Sequence, residues 1–217
     1  MKNYLLKPKN CLLFGVLLTI CLTAGVAHAD TTNTVLSTLI TPTSPEATTT
    51  IDQRVATRKA TYKSQLSGLD TTALASKCTL AQSALTDVRT KDQKEAAIRL
   101  QTYNDLAKRL AFLVDNLSSQ NVDATELSAA QNQFVSDINK YLNDAESYKA
   151  AIDDSITINC VNDPAGFKAS VLDARKWRAQ LAPDVAAVKN DQVQLLKALS
   201  DERQLLITKS GAKAKTD

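Results

Sequence analysis

The chain has 217 residues, with 26 Lys and Arg, 23 Asp and Glu and one His, giving a formal net charge of +3. Lys2, Lys7 and Lys9 stand in an acid-free stretch, residues 1–29; without it the balance is 23 cations against 23 anions, and His28, Met1, Cys11 and Cys21 are gone as well. A neutral remainder with no histidine excludes His-ligated metals, Ser-His-Asp and Cys-His catalysis, and nucleic-acid binding by excess positive charge.

Residues 1–29 read as a secretory signal: the three lysines, an apolar run over 11–26, then Ala27-His28-Ala29 before Asp30, which predicts cleavage between Ala29 and Asp30. The apolar run is shorter than the roughly 20 residues a membrane span needs, and Ile20 before Cys21 does not fit lipoprotein processing. The expectation is an exported protein, whether secreted, periplasmic or at the cell surface. Residues 30–50 are rich in Thr, Ser and Pro and bury too little apolar surface to offset ordering entropy, so they read as a flexible linker.

From 51 to 209 the only prolines are Pro164 and Pro183 and the only glycines Gly68 and Gly166. Such sparse punctuation predicts long helices, over about 51–66, 70–117, 124–160 and 164–208, followed by a disordered tail at 210–217. Apolar residues recur at near-heptad spacing: Leu74, Cys78, Ala81, Leu85 and Val88, then Leu106, Leu110, Leu113 and Leu117. Phe134, Ile138, Tyr141, Ala145, Tyr148 and Ile152 repeat the pattern, as do Phe167, Val171, Ala174, Trp177, Leu181, Val185 and Val188. Asp123 with Glu126 three residues later reads as a capping box, and Asp163-Pro164 as an N-cap followed by proline in the first turn. Pro183 reads as a kink. Short loops force antiparallel neighbours, so the predicted fold is all-α: an elongated antiparallel three-helix bundle or coiled coil with a short leading helix.

Facing residues in an antiparallel hairpin have a constant sum of residue numbers, near 240 for a turn at 118–122, and Cys78 and Cys160 sum to 238. In an exported chain this predicts a disulfide staple across the open end of the hairpin. The alternatives, a reactive pair or a thiolate metal site, lack a Cys-x-x-Cys or neighbouring ligands.

The apolar rhythm of the second helix breaks at residues 90–95, where Asp92 and Glu95 take seam positions. The same arithmetic sets Asp92 level with Tyr148, and the next hairpin sets Tyr148 level with Lys176 and Trp177. Asp92, Tyr148, Trp177 and Arg178 are therefore the candidate polar layer, either a register-fixing device or a site. Asp153 and Asp154 read as solvated, Arg54, Arg58 and Lys59 as a small basic face, and Tyr62 as an exposed residue in local packing.

Arg54-x-x-x-Arg58-Lys59, Cys78-x-x-Ala81-Gln82, Tyr103-Asn104-Asp105 with Arg109-Leu110, Val122 to Leu127, and Cys160-x-x-Asp163-Pro164-x-Gly166-Phe167-Lys168-Ala169 follow one another around the two cysteines. In order and spacing they resemble uncharacterised exported helical coiled-coil proteins of candidate-phylum (Patescibacteria-type) bacteria. The resemblance implies an exported, all-helical protein and carries no activity or site residues.

The functional expectation is a non-enzymatic interaction or structural module, with a protein or cell-wall partner. The alternative is an envelope chaperone or a coiled-coil regulator of a wall-remodelling enzyme. No cofactor, metal, nucleic acid or membrane span of the mature chain is expected, nor a pocket of small-ligand size. Self-association is expected through surface left over on the leading helix.

Overall fold

The computed structural model describes residues 49–213, with side chains as far as Thr208. The export signal, the Ala29–Asp30 cleavage point and most of the linker lie outside the described residues. Five helices and no strands form among the described residues: α1 (Ile51–Thr61), α2 (Lys63–Leu66), α3 (Thr71–Ser119), α4 (Thr125–Thr157) and α5 (Pro164–Lys213). None is long and apolar enough to cross a membrane.

The leading helix begins with a capping box: Thr50 Oγ1 accepts from the Gln53 N–H and Gln53 Oε1 from the Thr50 N–H. It does not run unbroken over 51–66, because Tyr62 leaves helical geometry at φ −98°, ψ 17°. Gly68 at φ 77° then takes a left-handed turn that a side chain would oppose, and Asp70 caps α3 through the Ala73 N–H at 2.9 Å.

The α3–α4 turn ends α3 with Asn121 at φ 54°. The Val122 N–H reaches the Leu117 carbonyl at 3.0 Å and the Asn121 N–H the Ser118 carbonyl at 3.1 Å, a pairing that satisfies the last carbonyls of the helix. The helix is capped at Ala124 rather than at the expected Asp123. Asp123 Oδ1 instead accepts from both the Thr125 N–H and the Thr125 hydroxyl, and Ala124 is the cap residue. The hydroxyl at Thr125 competes for the carboxylate, and the helix starts one residue later than expected.

Helix α4 stops at Thr157 rather than 160, so Cys160 lies in the turn. Asn159 Oδ1 accepts from the Val161 and Asn162 N–H groups, which holds that turn off the helix path. From α3, Gln82 Nε2 lies 2.8–3.0 Å from the carbonyls of Ser155, Ile156 and Ile158, serving acceptors the helix end leaves open. Asp163 Oδ1 accepts from the Gly166 N–H at 2.9 Å, the cap expected before Pro164. α5 runs on through Pro183 and past 208 to Lys213.

α4 is the central element. It packs along most of α5 and along α3, whereas α3 and α5 scarcely touch. Three core clusters follow one another. The first joins Cys78, Cys160 and Phe167, and the second Tyr148, Ala151, Ile152 and Ala174. The third surrounds Phe134, Ile138, Tyr141, Val188 and Leu195. Cys78 and Cys160 stand at disulfide distance, with Cα atoms 5.9 Å apart.

Candidate functional site

Between the second and third clusters, α3 and α5 fail to close over α4. Asp92 and Glu95 replace apolar seam residues there, and four alanines, Ala96, Ala97, Ala145 and Ala182, fall at the same level. Small side chains at a common height leave volume unfilled. The result is a groove of about 620 Å³ with a floor that includes Tyr141, Leu142, Ala145 and Ile152, and walls carried by α3 and α5. The expectation that this fold offers no pocket of small-ligand size is therefore wrong. The signal was available: the residue-number arithmetic that aligned the cysteines also aligns Ala96, Ala145 and Ala182.

Three of the four candidate residues meet at the groove. The Tyr148 hydroxyl donates to Asp92 Oδ2 at 2.6 Å, and Arg178 Nε approaches the same oxygen at 3.1 Å. Arg178 Nη2 donates to Asp92 Oδ1 at 3.2 Å. Burial, then the bond to Asp92, pushes the Tyr148 phenol well above its ordinary value, so it serves as a donor. Trp177 does not line the groove. It packs against the second cluster, to which Tyr148 belongs, its Nε1 is buried without a protein acceptor, and Lys176 Nζ sits 4.5 Å from its ring centroid.

The remaining rim charges are paired too. Arg89 bonds Asp153, Arg99 lies 3.5 Å from Glu95, and Lys149 bonds Glu146 at 3.2 Å. The groove thus has an apolar floor between edges carrying both signs of charge.

A second polar cluster lies at the stapled end. Asp154, expected to be solvated, is 1 % exposed. Arg54 pairs with it at 2.7 Å, and Arg58 bridges it to Asp173 on α5, with Nε 2.8 Å from the Asp173 carboxylate. The Tyr62 hydroxyl donates to Asp173 at 2.8 Å, and burial followed by this bond pushes its pKa up to about 12. Tyr62 is accordingly buried, not exposed, and Arg54 and Arg58 of the basic face turn inward, while Lys59 stays half-exposed 3.1 Å from Asp163. A neutral sequence gave no hint that buried acids on α4 and α5 await those arginines.

Along the α4–α5 seam, Lys140 joins Asp144 and Asp184, and burial raises the Asp144 pKa. Further along, Asp191 is buried with Oδ2 unpaired, and its pKa is pushed up to about 6, first by burial and then by the neighbouring Asp137 carboxyl. No group of three or more potential metal ligands occurs among the described residues. No family model, curated protein or solved structure matches the chain.

Proposed function

We propose that the protein is an exported, non-enzymatic interaction module: an antiparallel three-helix rod whose groove between α3 and α5 receives an amphipathic helix of a protein partner in the cell envelope or outside the cell. The observation that carries this reading is the groove itself, apolar along its floor and flanked by paired charges. Its α3 wall, Arg89 to Leu100, extends about 17 Å, or three helical turns, at 1.5 Å per residue. That length suits a partner stripe at i, i+3 or i+4, and i+7. The rim pairs Arg178–Asp92, Arg99–Glu95 and Lys149–Glu146 can exchange partners with charges of either sign on the incoming helix. They leave no surplus of cations for a polyphosphate. The resemblance to exported helical proteins and the signal-like N-terminus support the location.

The test uses Trp177, the only tryptophan, which packs against the cluster whose Tyr148 and Ile152 line the groove. A synthetic amphipathic peptide of about five turns with a leucine stripe should shift its emission saturably. Filling the floor with Ala145→Phe should weaken binding by roughly tenfold or more. Equal binding of a scrambled peptide, or indifference to Ala145→Phe, would sink the reading. The chaperone alternative draws on the same groove and on Ile98, 58 % exposed on α3. It requires protection of chemically unrelated clients with no dependence on peptide pattern.

A further inference from the structure

Among the described residues, α5 is the helix that outruns its neighbours. The third core cluster ends at Leu117, Leu127, Ala198 and Leu199, and every residue from Arg203 to Thr208 is exposed. The inward-facing positions Val188, Asp191, Leu195, Ala198 and Glu202 are buried and step along the helix by three and four. The next steps land on Leu205 and Leu206. These two are 55 and 39 % exposed, so the core-facing stripe continues with no bundle left to face. The helix persists to Lys213, roughly 16 Å beyond Glu202.

Two observations indicate what covers it. Glu202, at the root of the extension, is 9 % exposed, and its Oε2 has no hydrogen-bond partner. A buried carboxylate without a partner is costly and calls for a cation. The charges along the extension are also unevenly distributed: Asp201 and Glu202 outnumber Arg203 at the root, and lysines stand at 209 and 213 toward the tip. Antiparallel pairing with an identical helix sets each root against the other's tip, acid to base; parallel pairing sets like on like.

We infer that the α5 extension is a homodimer contact, packed antiparallel along the same extension of a second copy, burying Leu205 and Leu206 and setting the basic tip of each copy against the acidic root of the other. The contact is isologous, since the same residues serve both sides. Three turns of helix per copy fall short of the 1,200 Å² or so of a stable interface, so the dimer is weak, with a dissociation constant of roughly 10–100 µM. Self-association is thereby moved from the leading helix, whose arginines face α4 and α5, to the far end of α5. The inference does not depend on what the groove binds.

Sedimentation equilibrium of the full chain should give a mass rising from one copy to two across that concentration range. Residues 1–29 are common to all proteins compared, so the differences between variants carry the result. Leu205→Lys with Leu206→Lys should remain single, and so should the uncharged pair Leu205→Gln with Leu206→Gln. Because these side chains are exposed, both variants should keep the melting temperature of the dilute parent. Glu202→Lys should weaken the dimer about tenfold, and adding Lys209→Glu should restore it. A parent that stays single throughout, a lysine pair that still dimerises, or a charge swap that restores nothing overturns the inference. So does a single-copy parent whose extension binds anionic phospholipid vesicles, which would assign the stripe to a membrane surface.

Discussion

At the scale of single residues, Asp191 carries the most specific consequence. Its folded pKa of about 6 stands above the ordinary aspartate value of 3.8 because burial opposes its charge and the neighbouring Asp137 carboxyl adds to the effect. Between those two values the native protein holds a proton that the unfolded chain has released. Stability therefore falls as pH rises through that window, by about 2–3 kcal/mol for a shift of this size, and levels off above it. Asp191→Asn mimics the protonated side chain. Melts between pH 4 and 8 should show the variant matching the parent near pH 4 and surpassing it above pH 6. An identical pH profile for the two proteins would show that the Asp137–Asp191 contact is not a protonated pair. Arg58 gives the opposite case, a charge that must stay. Arg58→Ala leaves Asp154 and Asp173 buried with one cation fewer between them, at a cost of about 3 kcal/mol. Hydrogen exchange should show α1 opening first, and an α1 that stays protected would argue that its apolar contact alone holds it.

At the scale of elements, Gly166 links the start of α5 to the docking of α1. A Cβ there would lie 2.2 Å from Asp163 Oδ2 and 2.8 Å from Val55 Cγ1, so Gly166→Ala must displace the cap, the docked helix or both. It should destabilise the protein by roughly 1–2 kcal/mol despite the better helix propensity of alanine. A neutral or stabilising outcome in urea titration would mean that Asp163 swings aside freely. The same elements separate what was legible in the sequence from what was not. Long-range apolar rhythm, the scarcity of Pro and Gly and the level of the two cysteines follow from helix geometry, which repeats. The docking face of α1 does not repeat: Arg54 and Arg58 find acids about 100 residues away, and only the folded chain brings them together. The Asp92–Tyr148–Arg178 triad was legible because it obeys the hairpin arithmetic, whereas Trp177, one residue from Arg178, turns about 100° around the helix and packs, partly buried, against the second cluster. The groove leaves no motif of its own; its only trace in the sequence is that Ala96, Ala145 and Ala182 fall at one height by the same arithmetic.

At the scale of the whole described unit, the groove depends on how α3 is held. Its beginning is tied to the α4–α5 turn by Cys78 and Cys160, separated by 82 residues in sequence, and by Gln82 on the end of α4. Its end is fixed by the hydrogen-bonded turn around Asn121. Between these anchors α3 touches α4 and has few contacts with α5, the Asp92–Arg178 pair among them, so the width of the groove rests chiefly on the two ends. Closing a loop of that length stabilises a fold by roughly 4 kcal/mol in the chain-entropy model. Reduction should therefore lower the urea midpoint, with the loss concentrated around Phe167 and Val171, which pack on the cysteines. The third core cluster lies past the groove, toward the α3–α4 turn, and should keep its exchange protection longest. At temperatures where the reduced protein is still folded, the start of α3 gains freedom, the groove walls lose their fixed spacing, and affinity for the leucine-stripe peptide should fall several-fold. Cys78→Ser should reproduce the effect without reductant. An oxidised and a reduced protein that bind the peptide equally while differing in stability would show that Asp92, Tyr148 and Arg178 alone hold the walls apart.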